Sequence, residues 1–197
     1  MTIKSAVKRT ALSLAGIALS TGAFAAPMTY NIDSAHTYPA FEADHLGGVS
    51  LWRGKINSTS GTVTLDKAAN TGSVDVSMDL KTIDFGHQGL NDHAQTPDIF
   101  DTAQFPTARY TGRLSKFSNG MPTEIVGELS MHGQTHPVTL SVERFLCKQH
   151  PMAGREVCGA DAVATIDRSQ WGINIGEGLF NMGVTLRIGI EAIAAEE

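Results

Sequence analysis

The sequence predicts an all-β fold: one antiparallel domain of about eight to ten short strands, with a single short helix in a long loop. Three observations carry that expectation. Apolar and polar residues alternate with period two in segment after segment, turn-forming clusters rich in glycine fall between them, and only one segment breaks the alternation. The clearest strand is SVDVSMDL, where Val74, Val76, Met78 and Leu80 alternate with Ser73, Asp75, Ser77 and Asp79. In MGVTLRIGIEAIA, Val184, Leu186, Ile188, Ile190 and Ala192 share one face, and Thr185, Arg187 and Glu191 the other. Weaker alternation marks strands at 28–34, 38–46, 51–57, 61–66, 107–117, 123–132, 136–146 and 159–167. HLGG, STSG, KAANTG, SNGMP and MAGRE supply the turns.

The exception is DFGHQGLNDHAQTPDIFDTAQFPTA, an excursion from Asp84 to Ala108 that is expected to hold a short helix around 88–95, ended by Pro97. Its Phe85, Leu90, Ile99, Phe100 and Phe105 lie in too little regular structure to bury one another, so they must pack on the strands. They form either a satellite core under a long loop or a lid over an apolar mouth.

Residues 1–25 read as a secretory signal: Lys4, Lys8 and Arg9, then the apolar run ALSLAGIALSTGAF, then Ala23-Phe24-Ala25. Cleavage after Ala25 leaves 26–197 as one domain, expected in the periplasm, and no later stretch is long and apolar enough for a membrane helix. Without the signal the chain has 12 basic and 20 acidic residues, a formal charge of −8. That balance argues against a nucleic-acid partner. The two cysteines, Cys147 and Cys158, flank a loop containing proline and glycine and are expected to form a disulfide in an oxidising compartment, which contributes about 3 kcal/mol in the chain-entropy picture.

Alternation alone does not separate a barrel from a sandwich. Small residues at inward positions, Ala43, Gly127, Ala162 and Ala164, favour a hollow barrel able to hold one small ligand. Catalytic signatures are missing, including GxSxG, HExxH, the P-loop and GxGxxG. His132 and His136, four apart in ELSMHGQTHPVTLSVE, would share a helix face, but Gly133, Pro137 and the flanking alternation place them at a hairpin tip. His87 and His93, with Asp84 and Asp92, are the best metal candidates, yet loop histidines more often serve local hydrogen bonds, and no metal is expected. A metal-dependent secreted enzyme and a protein-binding β-sandwich stand as alternatives to a binding barrel.

Five stretches, taken in order, resemble the YceI-like family: YNIDSAHTYPAFEADHLGG, Arg53-Gly54, LNDHAQTPDIFDTAQFPTARY, GELSMHGQTHPVTL and TIDRSQWGI. The resemblance covers essentially the whole mature chain. It implies a lipocalin-like antiparallel barrel, exported, non-catalytic, binding a polyisoprenoid or similar amphiphile. The segment from Cys147 through TIDRSQWG is similar to a branch that binds isoprenoid quinones such as ubiquinone. The motif positions it carries over are His36, Phe41, His45, Asp92, His93, Phe100, His132, Arg168 and Trp171, while Pro39 departs from the pattern and suggests a bulge or edge. The expected ligand-contacting residues are Phe41, His45, Val76, Met78, Phe85, Leu90, Ile99, Phe100, Met131, Trp171, Phe180 and Met182. No cofactor beyond the bound lipid or quinone is expected. Transient contact with a membrane is compatible with such a ligand.

Overall fold

A computed structural model describes residues 26–196, and the expected signal segment lies outside them. The strands are β1 (Met28–Ile32), β2 (Ala40–His45), β3 (Ser50–Ile56), β4 (Thr59–Asp66), β5 (Thr71–Asp79) and β6 (Ile83–Asp84), then β7 (Thr107–Ser118), β8 (Met121–Met131), β9 (Gln134–Gln149), β10 (Glu156–Asp167) and β11 (Gly183–Ala194). One α-helix, α1 (Gln88–Ala94), sits in the excursion between β6 and β7.

All pairings between these strands are antiparallel, and they close a ring in the order β1-β4-β5-β7-β8-β9-β10-β11 and back to β1. Along one edge β11 pairs with β10, and its other edge serves two neighbours, β2 at Val184–Arg187 and β1 at Ala192–Ala194. Beyond β2 the sheet continues to β3 and β6. The fold is thus an eight-stranded barrel with a three-stranded extension. Closure removes the exposed edges that a sandwich would keep, so the sandwich alternative is overturned.

Local sequence explains the elements. His132 (φ 51°) and Gly133 (φ 73°) both have positive φ, the requirement of a two-residue turn whose twist matches its strands, so β8 and β9 meet at a tight hairpin. Glu143 is an extra residue in β9, because Asp161 pairs with Arg144 while Ala162 pairs with Val142. α1 begins where the His87 ring accepts a hydrogen bond from Leu90 N–H, and it ends three residues before Pro97. β6 was not foreseen: two residues are too few to show alternation, and they pair with Lys55 and Ile56 only once the chain has folded back.

The registers place the β2–β3 turn, the 80–106 excursion, the β8–β9 turn and the 168–182 segment at one end of the barrel. The opposite end is filled. Tyr30, Leu65, Cys158, Ala192 and Ala194 form a separate buried cluster there. Cys147 and Cys158 face each other across β9 and β10 and are joined by a disulfide, Cα–Cα 4.0 Å.

Candidate functional site

Between the two ends the barrel is hollow. A cavity of about 520 Å³ runs inside it, within the size range of small-molecule sites. Its walls come from the inward faces of the strands. β5 gives Val74, Val76 and Met78, and β11 gives Val184, Leu186, Ile188 and Ile190. β10 contributes Ala160, Ala162 and Ile166, and β8 contributes Ile125, Leu129 and Met131. The excursion supplies Phe85, Leu90, Ile99 and Phe100, so it is part of the cavity wall. Phe41 and Phe85 meet edge to face with centroids 5.6 Å apart. Exposed His93 also lines the cavity, so the wall reaches the surface beside α1.

Polar groups in the wall are few and mostly engaged. The Tyr110 hydroxyl lies between the carbonyl oxygens of Ile125 and Val138, 3.1 and 2.9 Å away, and burial pushes its pKa up. Asp44 accepts from Asn181 N–H (2.9 Å) and Gly48 N–H (2.6 Å); the Asn181 bond chiefly holds its carboxyl below the usual range. His45 stacks on Trp52 at 3.9 Å and lies 5.7 Å from the Phe180 ring. Arg168 donates to Ile173 O (3.1 Å) and Ile175 O (2.6 Å).

Of the expected contact residues, Phe41, His45, Val76, Met78, Phe85, Leu90, Ile99, Phe100, Met131 and Phe180 line this cavity. Trp171 and Met182 do not, and both expectations are corrected. Trp171 is fully buried behind the wall: its Nε1 donates to Leu129 O (3.1 Å), its carbonyl accepts from the His132 ring (2.7 Å), and its ring meets His136 at 5.0 Å. The two histidines of the hairpin therefore clasp a structural tryptophan. Met182 precedes β11, and its carbonyl accepts from Arg168 N–H, so the alternation in the sequence runs one residue past the strand.

Gly127 also differs from expectation. A Cβ there would stand 2.3 Å from Thr111 O and 2.7 Å from the Tyr110 hydroxyl, so its smallness admits the neighbouring strand and seats Tyr110 and leaves no hollow. Phe105 packs against His132 at 5.0 Å and stays outside the cavity. Trp52, Ile56 and Tyr110 were missed, although extending the alternation of their own strands would have found them.

The metal candidates do not converge. His87 caps α1, Asp84 accepts from Gly86 N–H and Asn91, and Asp92 accepts from Gln88. Among the described residues, the only sets of three donor side chains that come together are Cys147, Glu156 and Cys158, which include the disulfide, and the Asp33, His36 and Glu191 cluster, two of whose members are exposed.

A closed antiparallel barrel with an apolar hollow and few free polar groups defines the class of small-ligand-binding barrels. The model of the YceI-like domain matches residues 30–192, and the chain belongs to that family. A UPF0312 protein of Pseudomonas aeruginosa strain PAO1 is 29% identical over 191 residues, covering 95% of this chain and 98% of the relative. Protein YceI of Escherichia coli O157:H7 is 28% identical over 184 residues, covering 92% and 95%. Among solved structures, Burkholderia cenocepacia BcnA superposes with a TM-score of 0.62 at 22% identity, covering 82% of this chain and 99% of that one. A polyisoprenoid binding domain from Saccharophagus degradans, implicated in plant cell wall breakdown, superposes with 0.63 at 16% identity, covering 85% and 99%.

Proposed function

We propose that this protein is a non-catalytic periplasmic carrier that holds the tail of a polyisoprenoid, an isoprenoid quinone or a similar amphiphilic lipid inside the barrel. The observation that carries the reading is the apolar cavity of about 520 Å³ within a closed barrel. The polyisoprenoid-binding name of the Saccharophagus degradans neighbour supports the same ligand class. The signal-like segment at 1–25 and the Cys147–Cys158 disulfide agree with an exported, oxidising setting.

Removing a five-carbon isoprene unit from water gains about 4 kcal/mol gross, at about 0.8 kcal/mol per CH₂-sized group. In a bilayer the tail is already dry, so transfer into the barrel is nearly balanced. A carrier of this kind is therefore selective by shape and head-group contact, and it exchanges its ligand with membranes. Exposed apolar side chains at the same end of the barrel fit such exchange. Leu46, Val49 and Leu51 on the β2–β3 hairpin are 53%, 75% and 53% exposed, and Leu179 on the 174–182 segment is 72% exposed. The two segments touch: Asp44 holds Asn181 N–H, and a Cβ on Gly47 would stand 3.1 Å from Leu179 O.

Solvent extraction of gently purified mature protein, followed by mass spectrometry of the extract, should recover an isoprenoid lipid in near-stoichiometric amount. Recovery of no lipid, together with failure to take one up from vesicles, would overturn the reading.

A further inference from the structure

Among the described residues, Arg168 is the only arginine or lysine that lines the cavity. It is half-buried at the start of a 3-10 turn, Arg168–Trp171, that follows β10. Its bonds to Ile173 O and Ile175 O tie down the 173–175 segment, but carbonyl oxygens do not neutralise a full charge. Among the described residues no carboxylate forms an ion pair with it. Neighbouring Asp167 turns its carboxylate onto Ser169 N–H and Oγ, at 2.9 and 2.6 Å. The other ionised group in the wall, Asp44, is engaged by Asn181 and Gly48. Several exposed basic groups do have carboxylate partners. Arg53 and Arg187 both bind Glu42, Arg109 binds Asp75, and Lys67 binds Glu156.

A guanidinium has five N–H donors in a planar fork, and it stays charged even where burial disfavours the charge. Burial does push Arg168 below its ordinary value. Such a group in a largely apolar wall is costly unless an anionic or strongly accepting oxygen meets it. We propose that Arg168 is the head-group site of the cavity, binding the phosphate or carbonyl oxygen of a ligand whose isoprenoid tail fills the barrel. The proposal rests on the carrier reading and adds head-group chemistry to it: neutral alcohols are poor ligands, and phosphate esters and quinones good ones.

The test uses delipidated mature protein and three probes with one fifteen-carbon tail: farnesyl phosphate, farnesol, and a benzoquinone bearing a farnesyl chain. The wild type should bind the phosphate or the quinone at least about tenfold more tightly than farnesol, a ratio worth about 1.4 kcal/mol. The better of the two identifies the head. Arg168→Met keeps the bulk of the stem and should erase that ratio by weakening the phosphate and the quinone far more than farnesol. Equal wild-type affinity for all three probes would overturn the proposal, and that comparison needs no variant. A uniform loss for all three in Arg168→Met, the mark of a loosened 173–175 segment, would overturn it too. If the wild type binds none of the probes, the carrier reading itself fails.

Discussion

Gly54 shows how much one residue can determine. On β3, directly opposite Phe41 of β2, a Cβ at this position would stand 2.5 Å from the Phe41 ring and 3.0 Å from Phe85, so glycine here lets the Phe41–Phe85 pair form the cavity wall. The Arg53-Gly54 pair was readable as a motif but not as a reason, because a glycine's role depends on which ring lies over it. At the filled end, Glu156 Oε1 accepts from Tyr30 (2.5 Å) and Lys67 (2.6 Å). Burial pushes the Glu156 carboxyl up, but the bonds from Lys67 and Tyr30 together outweigh it and hold the group below its ordinary 4.5. A carboxylate with a depressed folded-state pKa stabilises the fold above the unfolded value and loses that contribution as pH falls through the folded one. Denaturant titrations should show wild-type stability falling as pH drops below about 4.5, with a modest share of the fall coming from this partly exposed group. In Glu156→Gln that portion of the decline should be missing; identical acid profiles would contradict the assignment.

Strands were legible where one face meets the cavity and the other water, and Val74, Val76, Met78 and Leu80 all turn inward as their alternation requires. α1 was legible from its position before Pro97. β6 was not, because two residues show no alternation and their partners Lys55 and Ile56 arrive only when the chain folds back, whereas Phe85, Leu90, Ile99 and Phe100 of the excursion were legible as apolar side chains with nothing nearby in sequence to bury them. The disulfide was foreseen from spacing and compartment, whereas its position directly across the β9–β10 ladder depends on register. Replacing both cysteines with serine should cost about 3 kcal/mol and lower Tm by roughly 6 to 12 °C for a domain of this size. Because the disulfide lies at the filled end, lipid uptake should persist below the new Tm. Calorimetry together with lipid uptake checks both outcomes, and loss of uptake in folded protein would refute the separation of the two ends.

For the whole molecule, the barrel's asymmetry is the main result: one end packed and cross-linked, the other built from turns, the excursion and exposed apolar side chains. The histidine pair at the β8–β9 turn belongs to this second end, where it holds Trp171 as part of the scaffold. If Val49 and Leu179 touch the bilayer during exchange, the double variant Val49→Asp and Leu179→Asp should slow lipid transfer from vesicles about tenfold or more without changing Tm, since both side chains are exposed. Unchanged transfer rates would place exchange elsewhere on the surface.

Ala162 is buried on β10 and lines the hollow, so a phenyl ring at that position would occupy the space assigned to the tail. Native mass spectrometry of wild type and Ala162→Phe, each incubated with the same isoprenoid lipid, tests the central claim most directly. The wild type should carry one bound lipid and the folded variant none; equal occupancy of the two, or an empty wild type, would contradict it.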